Sequence, residues 1–233
     1  MVLTAHQPVY LPWLGLFHKI SSSDLFCYFD IVQYQRRDYN NRNKIKTKNG
    51  DMWLSVPVES KNHLNKNVSE ISIIQDKWVK KHLKSIELNY KKTPFFDLYF
   101  PRLRDILIFD SKNSLGYLNF KLLKYFLECL DIKTPVVKAS DYLFEGKGSD
   151  LVLDMCIKLG ADEYVFGGQG VNYADIDSFN EKRVKVHFQE YNHPVYKQAG
   201  SKFSPYMSIV DLLFNEGKDS LNILTSDNIK YNE

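Results

Sequence analysis

At 233 residues, 44% hydrophobic and 25% charged, the chain can fold as one large domain with a sizeable core, and it is too apolar for intrinsic disorder. A net charge of +3 is too weak a bias to argue for a nucleic-acid protein. Cys27, Cys129 and Cys156 stand far apart in apolar stretches with no CxxC or Cys/His cluster, which argues against zinc and for a reducing compartment.

Met1 to Ala5 is a short apolar run that reads as a buried strand. Pro8 and Pro12 forbid helix between them, and Leu14, Phe17 and Ile20 then fall at helical spacing ahead of a Ser21–Asp24 stop. Leu25 to Phe29 is apolar on both faces, as a central parallel strand requires. The strand, short helix and strand make a right-handed βαβ unit. The second strand runs straight into a polar stretch from Asp30 to Lys44, and Asp51 to Val58 is a further strand that Pro57 demotes to an edge. Glu59 to Glu70 reads as an exposed loop or lid, and Ile71 to Ile74 as a short strand.

Three helices follow: Lys77 to Tyr90 behind an Asp76 N-cap, Thr93 to Phe109 interrupted at Pro101, and Leu115 to Leu130 opened by Asn113-Ser114. They predict an α-helical insert over 76–131 within a single α/β domain spanning 1–233. Thr134 to Val137 is a strand, Gly146 to Asp150 a turn with an N-cap, and Leu151 to Leu159 a helix stopped by Gly160. Glu163 to Phe166 and Val184 to Phe188 are strands, and Met207 to Phe214 is an amphipathic helix closed by Gly217. The fold class expected is α/β, a mostly parallel sheet with flanking helices. No signal segment opens the chain and no apolar run approaches the roughly 18 residues of a membrane span, so a cytoplasmic protein with no membrane partner is expected.

Directional polar chemistry gathers where strands end, which is where open α/β sheets keep their ligands. His6-Gln7 closes the first strand, and a neutral imidazole there can take a proton, or can simply pin the proline turn. In the Asp30–Lys44 run, Asp30, Gln33 and Arg36 are spaced by three, which neither a strand nor a solvated surface requires. Arg donates paired hydrogen bonds to phosphate, Asn and Gln amides read hydroxyls, and Tyr34 and Tyr39 offer stacking faces, whereas the bland reading is a solvated loop. Gly167-Gly168-Gln169-Gly170 follows a strand and would let backbone amides approach a phosphate or sugar, though it lacks GxGxxG and P-loop spacing and also suits a plain turn. Tyr173 and the His193–Tyr196 turn are second-tier pocket residues, and Lys77, Lys80, Lys81 and Lys84 read as a solvated helix face.

The stretches HQPVYLPWLG, DIVQYQRR with NRNKIK, GDMWLSVPV, ADEYVFGGQGVNY, and EYNHPVY with SPYMSIVDLLFN resemble the WbqC-like family of bacterial O-antigen and surface-polysaccharide gene clusters. The resemblance spans nearly the whole chain. It implies a transferase that attaches an aminoacyl group, notably glycine, to the amine of a nucleotide-linked amino sugar. The matching positions are His6, Gln7, Tyr10, Pro12, Gly15, Lys19, Asp30, Gln33, Arg36, Asn41, Arg42, Gly167 and Tyr173. On this footing His6 is the catalytic base, and Arg36, Arg42 and Lys19 grip the diphosphate. Asp30, Gln33 and Asn41 fix the sugar, with Gln7, Tyr10, Gly168, Gln169 and Tyr173 completing the substrate site. No residues name a cofactor; the acyl group must arrive activated, through ATP, another activated acyl donor, or an aminoacyl-tRNA as the sole nucleic-acid partner. A nucleotidylyltransferase-like enzyme is the alternative, without its HxGH spacing, and a non-catalytic sugar-nucleotide binding protein is a third.

Overall fold

The structure, a computed structural model, describes residues 1–59, 61, 64, 66–200 and 202–232. Its centre is a five-stranded parallel sheet of β1 (Val2–His6), β2 (Leu25–Tyr28), β5 (Val136–Lys138), β6 (Glu163–Phe166) and β7 (Lys185–Phe188). The strands lie in the order β5-β2-β1-β6-β7. The chain therefore starts in the middle, moves outward through β2 and β5, then returns to the other side of β1. Right-handed crossovers running in opposite directions place their helices on opposite faces. Accordingly, α1 (Leu14–Ser21) packs into one core, and α5 (Ser149–Leu159) with α6 (Ile176–Glu181) into the other. β2 serves both cores: Phe26 and Tyr28 face one, Cys27 the other. The expected mixed α/β class with a parallel sheet is the one observed.

The helices α2 (Trp78–Tyr90), α3 (Phe96–Phe109) and α4 (Leu115–Cys129) bury one face each in the core that α1 shares, as does α7 (Ile209–Glu216). The short α8 (Ser220–Thr225) follows α7. Ser114 caps α4 by accepting from the Tyr117 amide, as its sequence position implies. Gly160 ends α5 at φ +72°, a left-handed geometry that glycine adopts without strain.

Several expectations need correction. The polar run after β2 is not loop throughout: β3 (Arg42–Thr47) pairs antiparallel with β4 (Gly50–Ser55) as a separate two-stranded sheet, in register Lys44 to Trp53. Helix α3 continues through Pro101, which sits in its second turn and forfeits one backbone bond without ending the helix. Asp76 is not the cap of α2; Lys77 holds that place with no side-chain bond. Residues 71–74 make isolated bridges, Ser72 to Ser114 and Ile73 to Val58, in place of a strand. Of the expected lid, residues 60, 62, 63 and 65 lie outside the described residues. Among the described residues, no helix is long and apolar enough to cross a membrane.

Candidate functional site at the switch point

The strand order reverses between the parallel neighbours β1 and β6, so the loops leaving their carboxyl ends diverge and leave a crevice. A cavity of about 730 Å³ occupies it, lined by His6 and Gln7 from the end of β1, Lys19 from α1, and Gly167 to Gly170 with Tyr173 from the loop after β6. Trp13, Gln35, Asp38, Tyr39 and Gln189 complete much of the wall.

The β1–α1 turn is held by the asparagine-rich segment below it. Asn40 donates to the Pro8 carbonyl at 2.8 Å and Asn43 to the Leu11 carbonyl at 2.6 Å, while the Tyr10 amide donates to Tyr39. Leu11 lies at φ +45°, a costly backbone state for a branched residue that persists because these bonds over-determine it. Asn119 adds a bond to the Asn40 carbonyl at 2.8 Å. The asparagines thus shape the turn that aims His6 and Gln7.

His6 is half-buried, and its Nδ1 lies 2.8 Å from the Gln7 carbonyl. A carbonyl only accepts, so Nδ1 carries the proton and Nε2 keeps its lone pair. Burial, then the charge of Lys19, lowers the imidazole pKa to about 4, so the ring is neutral at physiological pH. Trp13 packs edge-on against it at 5.2 Å. Gln7 donates to Asp38 at 2.9 Å.

Lys19 is 2% exposed, and its Nζ donates to the Ala5 carbonyl at 3.0 Å, its one hydrogen bond among the described residues. Among the described residues it has no carboxylate partner. Burial alone brings its pKa down to about 7. An ammonium so placed lacks the counter-charge that buried cations ordinarily keep. An anion entering the cavity would supply it.

The sequence-derived candidates divide. His6, Gln7, Lys19, Gly167, Gly168, Gln169 and Tyr173 line the cavity together. Tyr10 does not: its side chain is fully buried, with its hydroxyl 2.9 Å from His82. Asp30 is buried and caps the turn after β5, accepting from the Ser140 amide at 2.9 Å and hydroxyl at 2.8 Å. Gln33 donates to the Leu64 carbonyl, and Asn41 to that of Val56, at 2.8 Å each. Arg36 is exposed away from the cavity lining, and Arg42 lies over the Trp53 ring at 4.5 Å. The three-residue spacing of Asp30, Gln33 and Arg36 therefore does not converge on this cavity.

The His193–Tyr196 turn also stands apart. Tyr196 and Tyr90 donate to the buried Asp211 at 2.7 and 2.8 Å, which fixes α7 against α2. Sequence reasoning passed over Asp38, Gln35, Trp13 and Gln189. The first two lay in the quoted polar run without distinctive spacing. Gln189 follows the last strand and braces α1 through the Gly15 carbonyl at 2.8 Å and His18 Nδ1 at 2.9 Å.

Gly170 sits where a Cβ would come within 2.5 Å of Phe166, so the glycine loop needs at least one residue without a side chain. Gly167 meets nothing within 4 Å of that position, which leaves its backbone approachable.

The model of the WbqC-like protein family matches residues 7–223. A curated protein of Mycobacterium tuberculosis, "Uncharacterized protein Rv1507c", is 35% identical over 216 residues, 92% of this chain and 93% of its own length. No solved structure matches the chain.

Proposed function

The chain belongs to the WbqC-like protein family, and we propose that it is a transferase acylating the amino group of a nucleotide-linked amino sugar during surface-polysaccharide (O-antigen) synthesis. The acyl group in this reading is an aminoacyl group such as glycine. One observation carries it: a lone-pair imidazole nitrogen and a buried, uncompensated lysine share one cavity at the switch point of the sheet. Lys19 holds an anionic part of the substrate. The sugar amine attacks the activated acyl carbon, forming the C–N bond, and its proton passes to His6 Nε2. The donor's leaving group departs with the electron pair and recovers that proton. In this reading Gln7, which donates to Asp38, holds the sugar.

Nucleotidyl transfer is the second reading, favoured by a doubly wound sheet whose first strand ends in histidine at the switch point. His18 of α1 does not support it, because Gln189 and the Ile229 carbonyl occupy both its ring nitrogens.

Mass spectrometry of UDP- and dTDP-linked amino sugars, incubated with the protein and either ATP plus glycine or glycyl-tRNA, separates the two. A gain of the glycyl mass is the expected result. Pyrophosphate release with a gain of the adenylyl mass on the sugar nucleotide supports nucleotidyl transfer, and an unchanged sugar with every donor contradicts both.

A further inference from the structure

The cavity does not end at the sheet. From His6 a continuous series of rings leads outward: Trp13 at 5.2 Å, Tyr39 a further 5.3 Å on, and Trp53 another 5.7 Å. Trp13 and Tyr39 line the cavity, and Trp53 lies beyond it on β4. In the hairpin, Asn43, Ile45 and Leu54 turn inward and are buried, so Arg42, Lys44 and Trp53 share the opposite face. Trp53 is 41% exposed there, with the Arg42 guanidinium 4.5 Å and the Lys44 ammonium 5.4 Å from its ring centre.

Arg42 carries the more telling feature. One of its terminal nitrogens donates to the Arg37 carbonyl, yet its Nε is buried with no hydrogen-bond partner among the described residues. A buried donor left unmade is costly and rare in folded proteins, so a rotation of the guanidinium that brings Nε out to an anion relieves that cost. Aromatic faces beside cations match a nucleobase followed by its phosphates.

We infer that the outward face of the β3–β4 hairpin, with Tyr39, Arg42, Lys44 and Trp53, is a nucleotide-binding shelf continuous with the cavity. The nucleobase stacks on the exposed Trp53 ring beside the half-buried Tyr39, and the diphosphate accepts from Arg42 and Lys44. The appended sugar reaches down past Trp13 toward His6 and Lys19. This rests on the sugar-nucleotide reading and assigns its nucleoside diphosphate half to residues outside the cavity. Selectivity for the nucleotide then resides on the hairpin, and the chemistry at the strand ends.

Calorimetric titration of the full chain with UDP, dTDP and inorganic pyrophosphate tests this without any acyl donor. UDP and dTDP should bind more tightly than pyrophosphate. Trp53→Ala should weaken both nucleotides roughly tenfold while leaving pyrophosphate within about twofold, since stacking on one ring is worth about a factor of ten. Arg42→Ala should weaken all three, and Arg42→Lys should fail to restore them because lysine has no equivalent of Nε. Circular dichroism establishes that each variant is folded. Nucleotide affinity unchanged in both Trp53→Ala and Arg42→Ala, or nucleotides binding no better than pyrophosphate, overturns the shelf. A chain that binds UDP through Trp53 yet never acylates a sugar leaves the shelf standing and removes only the transfer reaction.

Discussion

Lys19→Met is expected to make the protein more stable and inactive at once. The unfolded chain carries Lys19 at its ordinary pKa of 10.5, whereas burial holds it at about 7 in the fold. Between those values the unfolded state binds more protons, so stability rises with pH across this window. The penalty is present in full below about 7 and disappears as pH climbs past 10.5. Methionine matches the length of much of the lysine stem and carries no charge, so it removes the cost of burying an unpaired ammonium. Loss of the bond to Ala5 offsets part of that gain. Urea unfolding at pH 6 should therefore show a higher midpoint for the variant, with the difference closing at pH 10.5. Acyl transfer should fall by at least about 100-fold, because the fixed positive charge is gone. A variant less stable than the parent at pH 6, or one that turns over at close to the parent's rate, would refute the role given to Lys19.

His6→Ala has the second large effect. Removing a general base lowers turnover by roughly 10²–10⁴-fold, and UDP affinity should persist because the nucleotide sits on the hairpin. The pH profile carries more information than the loss itself. His6 must be unprotonated to accept a proton, so kcat/KM should fall only as pH drops toward about 4. Lys19 must be protonated to hold an anion, so the same parameter should fall as pH rises beyond about 7. A plateau between these limits is expected once the titration of the substrate amine is divided out. Lys19→Met should remove the alkaline limb from whatever activity remains. An acid limb near the ordinary histidine value of 6.5 would mean that His6 is solvated or plays another part.

The sheet was legible because most of its strands are short apolar runs and the last alternates polar with apolar, and the helices because their apolar residues repeat at helical spacing. The first hairpin strand was not. Arg42-Asn43-Lys44-Ile45-Lys46-Thr47 has a single apolar residue, and two of its buried members, Asn43 and Lys46, are polar. Both are satisfied by main chain, Asn43 by the Leu11 carbonyl and Lys46 by that of Lys202. Polar side chains that pin backbone cannot be told, in a sequence, from side chains that await a ligand. The same ambiguity misdirected the reading of Asp30, Gln33 and Asn41, whose partners are Ser140, Leu64 and Val56. α6 escaped notice because Ile176 to Glu181 is polar and buries only Phe179.

Lys19 shows the converse. In the sequence only the family resemblance marks it; by its own pattern it is the last-turn lysine of a short amphipathic helix. Only the packing of α1 against β1 reveals that its charge is buried and that its neighbour is His6. Arg42, expected among the phosphate ligands, lies on the hairpin with Trp53 and away from the cavity wall.

A crystal structure of the protein soaked with a UDP-linked amino sugar addresses the central claim most directly. The sugar should occupy the cavity between β1 and β6, with its amine near His6 Nε2 and an anionic oxygen on Lys19 Nζ. Density for the ligand elsewhere on the molecule, with His6 and Lys19 untouched, would contradict the account.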